Sequence, residues 1–250
     1  MSSTVPHRSL WSADRLSARD LACLLRTAQQ LRAERLDGSA HAALAGRHIA
    51  LIGAPAGADT QAFVQAAAEL GVRVAQIDAE SLRNAPSQRV PELARMLGRL
   101  YQGVDCRGLP AERIEQIEAH AGVPVLNGVA DPAHPLRLVG DLLTMQAWSG
   151  RPLADLGLEL PDLAAPESRT MIELARLSGL HVLRPQCAVA VADPSADERV
   201  APEFRFAAGR GVAERLCTGD DKPESRRALG LLNQAHERLT LQALLVAALA

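Results

Sequence analysis

Residues 48–77 read HIALIGAPAGADTQAFVQAAAELGVRVAQI, and this stretch decides the fold. The apolar run from His48 to Gly53 is typical of a short buried strand that ends in a glycine turn. A loop of Gly, Ala and Pro follows, and a helical pattern then extends from Thr60 to Leu70. Residues Val72 to Ile77 predict a second strand. A strand, a loop, a helix and another strand together predict a parallel pair joined by a right-handed crossover.

The same alternation continues on both sides of this stretch. An amphipathic helix is predicted at residues 14–35, where Ser17 and Asp20 stand at the spacing of a capping box. Further helices are predicted at 90–100, 111–121 and 135–148, and further strands at 103–106 and 123–126. Alternating strands and helices favour a mostly parallel sheet that helices flank on both faces. The predicted fold class is therefore α/β.

The second half of the chain shows weaker patterns. Strands are predicted at 156–160, 181–183 and 188–192, a helix at 167–177, and a final apolar helix at 234–250. Residues 193–223 are rich in charge, Pro and Gly and show little periodicity. We therefore predict a first domain at 1–148, with helix 234–250 packing back on it, and a reduced second α/β domain at 149–233.

Composition narrows the class of function. The chain has 250 residues, with 27 Lys and Arg against 29 Asp and Glu, so its formal net charge is −2. This near-neutral charge argues against a nucleic-acid partner. The four cysteines form no C-x-x-C pair, which favours free thiols in a cytoplasmic protein and gives no metal site. Residues 1–10 lack a signal-peptide apolar core, and the apolar run at 239–250 is too short to span a membrane.

Five segments, in chain order, carry a resemblance to one enzyme family. They are residues 9–35, residues 44–52 (LAGRHIALI), residues 123–129 (VPVLNGV) continuing into 131–137 (DPAHPLR), residues 141–144 (DLLT) and residues 237–245 (ERLTLQALL). Together they resemble the aspartate/ornithine carbamoyltransferases, and the ornithine branch more than the aspartate branch. Among the matched family patterns are L-x-G-K-x-x-A-L-I, V-P-V-I-N-G-L, H-P-C-Q and N-R-L-H-x-Q-K-A-L-L.

The resemblance implies a fold, an activity and an assembly. Members of the family transfer the carbamoyl group of carbamoyl phosphate to the amino group of ornithine or aspartate, and the resemblance implies no cofactor. Their two α/β domains are joined by two helices, and they form trimers in which a neighbouring subunit contributes to the site. We therefore expect a small-molecule ligand, carbamoyl phosphate or an amino acid, and a homotrimer or co-assembly with an active paralogue.

The phosphate-binding loop departs from the family. The family holds the phosphate with S-T-R-T-R at a helix start, where free backbone N–H groups favour an anion. The aligned residues here are Gly57-Ala58-Asp59-Thr60-Gln61, so both arginines are missing and only Thr60 remains as a substrate-binding candidate. Losing two charged hydrogen bonds costs about 3–6 kcal/mol. Asp59 would repel the phosphate, or it could serve simply as the helix N-cap.

Other positions match the family's carbamoyl-handling residues. Arg107, His134 and Arg238 are the implied catalytic residues, and together they could stabilise the oxyanion of a tetrahedral intermediate. Each of them alone could equally be a surface ion-pair partner or a capping residue. Arg137 replaces the glutamine of H-P-C-Q, and Arg83 falls near the glutamine that a neighbouring subunit donates. We take both arginines as candidate substrate-binding residues.

The amino-acid-binding half departs furthest. Residues 162–168 lack the asparagine of the family's G-D-x-N-N loop, no S-M-G loop is found, and Cys217 lacks the flanking residues of H-C-L-P. Cys217 could be an active-site thiol or a buried structural cysteine. Three hypotheses stay open. The first is a degenerate paralogue that serves as a binding or assembly partner. The second is an active carbamoyltransferase with altered substrates, in which Arg83, Arg137 and Arg238 replace the missing phosphate ligands, and the third is a small-molecule-binding protein that uses an interdomain cleft for an amino acid.

Overall fold

The computed structural model describes residues 16–53, 57–129, 134–183, 202–210, 214, 216–219 and 222–250. The expected strand at 188–192 lies outside these residues. The helices are α1 Ala18–Leu36, α2 Ala58–Glu69, α3 Glu80–Arg83, α4 Val90–Leu100, α5 Ala111–Ala121, α6 Val139–Ser149, α7 Pro166–Ser178 and α8 Pro223–Leu249. The strands are β1 His48–Ile52, β2 Arg73–Ile77, β3 Gly103–Cys106, β4 Val125–Leu126, β5 Gly157–Glu159, β6 His181–Leu183, β7 Phe204–Phe206 and β8 Leu216–Thr218.

The contacts divide the chain into two compact units. The first contains residues 23–137 and 238–250, and the second contains residues 16–22 and 138–237. Each unit has its own four-stranded sheet.

The sheet of the first unit is wholly parallel, in the order β2-β1-β3-β4. Strands β1 and β3 lie at its centre and are buried along almost their whole length, as expected for a sheet covered on both faces. Helices α4 and α5 pack so closely that a methyl group on Gly98 would lie 1.7 Å from the carbonyl oxygen of Ala121. The predicted parallel α/β core is confirmed.

The sheet of the second unit has the order β6-β5-β7-β8, with β7 and β8 antiparallel and the other pairs parallel. Strands β7 and β8 lie within the segment 193–223, for which the sequence predicted no element. Each has only three residues, so neither shows a periodic pattern. The start of α1 confirms the capping box, because the Ser17 backbone N–H donates to Asp20 Oδ2 over 2.9 Å and the Asp20 N–H donates to Ser17 Oγ.

Helix α8 begins at Pro223, so the predicted start at residue 234 was wrong by eleven residues. The added segment contains Arg226, Arg227 and Gly230, which interrupt the apolar pattern on which the prediction depended. Proline suits a first helical position because its fixed φ is already helical and the missing N–H would lack an intrahelical partner there.

Candidate functional site

The carboxyl edge of the first sheet is where ligands bind in open parallel α/β sheets. At this edge the chain leaving β1 passes very close to the chain leaving β3. Gly53 has a φ of +69°, and a Cβ atom there would lie 2.2 Å from the carbonyl oxygen of Arg107. The Arg107 N–H donates to the Ile52 carbonyl over 2.8 Å. The two segments that lead into the candidate site are therefore held together by backbone contacts.

The amino end of α2 is the counterpart of the family's phosphate loop. Gly57 is the N-cap, with an extended backbone and no side-chain capping bond, so the alternative that Asp59 caps the helix was wrong. Asp59 instead lies exposed in the first turn, where the helix dipole favours a negative charge. Thr60 is buried, with 2% of its surface exposed. The first turn, residues 58–61, contains one acid and no cation.

Two of the candidate arginines lie beside the loop that follows β3. Arg83 Nη2 donates to the Gly108 carbonyl over 3.0 Å, one residue beyond Arg107. Arg107 is half-buried, and a methyl group on Gly128 would lie 3.9 Å from its Cγ. The structure thus brings Arg83 and Arg107 to the same loop of one chain. Residues 57–61 of the phosphate loop follow the neighbouring strand β1, at this same edge of the sheet.

His134 and Arg137 are both buried, with 5% of each residue exposed. The Leu136 N–H donates to His134 Nδ1 over 3.2 Å. Because Nδ1 accepts this bond, it carries no proton, and any proton on the neutral imidazole is on Nε2. Arg137 Nη1 donates to the Val129 carbonyl over 3.2 Å, which ties the His134 segment back to the chain after β4.

Asp105 organises this part of the site, although the sequence reasoning missed it. It is fully buried in β3, and its Oδ1 accepts hydrogen bonds from the N–H groups of Gly128 (2.7 Å) and Val129 (3.0 Å). A carboxylate in the middle of the buried four-residue strand GVDC was the available signal, since buried acids need specific partners. Burial, and secondarily the charge of Asp105, raises the pKa of the adjacent Cys106 thiol far above its usual range.

Arg238 lies elsewhere in the first unit. Its Nη1 pairs with Glu69 Oε1 over 3.2 Å, and its Nη2 approaches Gln65 Oε1 at 3.4 Å. Glu69 also pairs with Arg35 and accepts a bond from Gln242. Glu69 is the last residue of α2, about 16 Å of helix away from the phosphate-loop end. The contacts described for Arg238 are therefore with the carboxyl end of α2, and none is with Arg107 or His134.

The described part of the chain shows neither a metal-binding cluster nor a membrane-spanning helix. Those residues contain no cluster of three or more His, Cys, Asp or Glu side chains that could hold a metal ion. Among the same residues, no helix combines the length and the apolar character needed to cross a membrane.

Comparisons with known proteins match both the sequence and the fold. Residues 8–147 match the family model of the carbamoyl phosphate-binding domain of aspartate/ornithine carbamoyltransferases. The catabolic ornithine carbamoyltransferases of Burkholderia mallei (strain ATCC 23344) and Pseudomonas putida are 36% and 34% identical over 157 residues, which are 62% of this chain and 47% of each relative. The chain thus spans about half the length of the curated relatives it matches.

Solved structures extend the likeness over nearly the whole chain. Ornithine carbamoyltransferase from Thermus thermophilus superposes with a TM-score of 0.69 at 24% identity, covering 99% of this chain and 100% of that one. The enzyme from Pyrococcus furiosus gives 0.65 at 19% identity, covering 99% and 98%. At these identities the likeness shows the two-domain α/β fold. Because the family model matches more than half of this chain, the chain belongs to the aspartate/ornithine carbamoyltransferase family.

Proposed function

We propose that this protein is a carbamoyltransferase-family paralogue whose carbamoyl phosphate site is degenerate, so that it is weakly active or inactive and acts as a binding or assembly partner. The observation that carries the proposal is the first turn of α2, which contains Asp59 and no cation. A dianion bound there would meet backbone N–H groups and one exposed carboxylate.

The size of the defect follows from the two missing arginines. Charged hydrogen bonds contribute about 1.5–3 kcal/mol each, so the pair removes roughly 3–6 kcal/mol. This corresponds to a loss of about a hundred- to ten-thousandfold in affinity for carbamoyl phosphate. The loss falls on the ground state and the transition state alike, so it lowers kcat/KM by the same factor.

In this proposal the surviving residues have reduced roles. His134 Nε2 would polarise the carbamoyl oxygen, and Arg107 would contact that same oxygen. Arg238 is the third residue of the family's set, but its pairing with Glu69 offsets its charge. Thr60, Arg83 and Arg137 are the remaining candidates for contact with a bound substrate.

Calorimetric titration and a citrulline assay test the proposal directly. Wild-type protein should show no carbamoyl phosphate binding at micromolar concentration and no citrulline formation from carbamoyl phosphate and ornithine. The double substitution Asp59→Arg and Gln61→Arg should raise carbamoyl phosphate affinity at least about tenfold without restoring rapid turnover.

The control is the double substitution Asp37→Arg and Gln30→Arg, which makes the same charge change at two exposed positions near the carboxyl end of α1. This control should not raise the affinity for carbamoyl phosphate. Wild-type turnover of about 1 per second or faster would refute the degenerate-site reading.

A second candidate function has its own support. Arg83 and Arg107 meet at the loop around Gly108, and Arg137 replaces a neutral amide in the family pattern. Arg83 and Arg137 could stand in for the missing phosphate ligands, which would make the protein an active carbamoyltransferase for ornithine or a related amino acid. Arg238, the third arginine of this hypothesis, pairs with Glu69. Two results together would establish this alternative: carbamoyl transfer by the wild-type protein that Arg83→Gln abolishes, and the same activity left intact by Arg99→Gln on α4.

We also propose that the protein assembles as a homotrimer or with an active paralogue in the cytoplasm. The exposed apolar pair Met96 and Leu100 lies one turn apart on α4, with 48% and 57% of each residue exposed, and supports an interface. Light scattering should give about 80 kDa, three times the chain mass of 26.6 kDa. A mass of one chain at micromolar concentration, unchanged by an active family member, would contradict the assembly proposal.

A further inference from the structure

The second unit contains a pocket of about 600 Å³. One wall is formed by residues around β7 and β8, and the other by the first half of α8. Ala207, Leu216 and Leu231 supply apolar surface, while Arg210, Arg226 and Arg227 supply positive charge. The volume suits a small organic molecule.

The described lining is positively charged overall. Three arginines face one acid, Glu214, and the Arg210 Nη1 to Glu214 Oε2 distance is 3.8 Å. Both side chains of that pair are about two-thirds exposed, so the pair contributes little stability. No residue in the described part of the chain accepts a hydrogen bond from the Arg227 guanidinium. This arginine stands beside the pocket with its donors available to a ligand.

The helix wall of the pocket contains a glycine that lowers the stability of the helix. Gly230 lies inside α8 and lines the pocket, although glycine costs about 1 kcal/mol relative to alanine in a helix interior. Gly230 therefore lines that wall with backbone and no side chain. The next residue, Leu231, is 59% exposed although it is a large apolar residue. An exposed apolar side chain and an available guanidinium therefore lie together on the same helix, at Leu231 and Arg227.

We propose that this pocket binds a small organic anion in which a carboxylate or similar group is joined to an apolar body. The arginines bind the anionic group, and Leu216 and Leu231 cover the apolar body. The pocket lies outside residues 8–147, which the family model matches, and the proposal does not depend on the state of the carbamoyl phosphate site.

Cys217 lines the same pocket and provides a chemical reporter. Its thiolate can be modified by dithionitrobenzoate, an aromatic disulfide with a carboxylate on each ring, or by neutral N-ethylmaleimide. Mass spectrometry of the full-length protein after digestion gives the rate at each cysteine. The ratio of the anionic to the neutral rate at Cys217 measures the preference of the pocket for an organic anion. Cys23, also half-buried but in the first unit, is the internal reference.

The proposal predicts a higher ratio at Cys217 than at Cys23. Arg210→Gln and Arg227→Gln should each lower the Cys217 ratio about two- to fivefold, because each removes one partly exposed charge. The control Arg99→Gln should leave it unchanged, and about 0.5 M NaCl should reduce the difference between the two cysteines. Equal ratios at the two cysteines, or a Cys217 ratio that neither arginine substitution changes, would overturn the proposal.

Protection of Cys217 from N-ethylmaleimide gives a second measurement on the unmodified chain. Benzoate should slow the reaction at Cys217, whereas benzyl alcohol, which has the same apolar body and no charge, should not. Protection by both compounds to the same extent, or by neither, would contradict binding of an organic anion.

Discussion

The buried carboxylate of Asp105 gives the most direct test of how the candidate site is held together. Substitution by alanine leaves the N–H groups of Gly128 and Val129 without the acceptor they have now. A buried donor without a partner costs roughly 1–3 kcal/mol, so two of them cost about 2–6 kcal/mol. Removing a desolvated charge offsets part of this cost, and we expect a net loss of about 2–4 kcal/mol.

Chemical denaturation followed by circular dichroism measures this loss, and the melting temperature should fall by roughly 10 °C. Asp105→Asn keeps a carbonyl oxygen that can accept both bonds, so it should be distinctly less destabilising than Asp105→Ala. The matched control is Asp78→Ala, because Asp78 accepts one bond from the Glu80 N–H at an exposed position. That control should change stability by less than about 1 kcal/mol. The reasoning fails if Asp105→Ala behaves like the Asp78 control, or if Asp105→Asn is as damaging as Asp105→Ala.

Three further outcomes are expected. Gly98→Ala should destabilise the protein by about 1–3 kcal/mol despite a better helix propensity, because its Cβ would lie 1.7 Å from the Ala121 oxygen; thermal unfolding checks this. Hydrogen bonds from the Ser39 hydroxyl and backbone N–H lower the pKa of Asp37 below its ordinary value of 3.8. The stabilisation that these bonds give the fold is therefore present above pH 3.8, and it is lost as the pH falls through the lowered pKa of the folded state. Ser39→Ala should therefore raise the Asp37 pKa in an NMR titration. Burial raises the pKa of Cys106, so iodoacetamide at pH 8 should modify it only after unfolding.

Local patterns were enough to predict the first sheet and the longer helices of the first unit, but not α3, which has only four residues. The bounds of α5, residues 111–121, follow from the spacing of Ile114, Ile117 and Ala121, which are the buried residues of that helix. Strands β7 and β8 were missed because three residues are too few to show alternation. The early start of α8 was missed because its first eleven residues pack less apolar surface than the rest of the helix.

The candidate site was only partly predictable for a different reason. The missing arginines of the phosphate loop can be seen in the sequence, since they depend on residue identity at a matched position. The partner of Arg238 cannot, because Glu69 is 169 residues away and only the folded chain brings the two side chains together. The position of Asp59 within α2 could not be predicted either, because an acid near a helix start suits both the N-cap and the first turn.

The close approach at Gly53 constrains the shape of the first sheet's carboxyl edge, independently of any reaction that takes place there. Every side chain larger than hydrogen would meet the Arg107 carbonyl oxygen there, and the positive φ adds strain for any L residue. A saturation library selected only for soluble expression should therefore retain glycine at this position, with no catalytic selection applied. A chain can thus keep the outline of this sheet edge whether or not it turns over a substrate, and a glycine retained here reports on assembly of the sheet rather than on turnover.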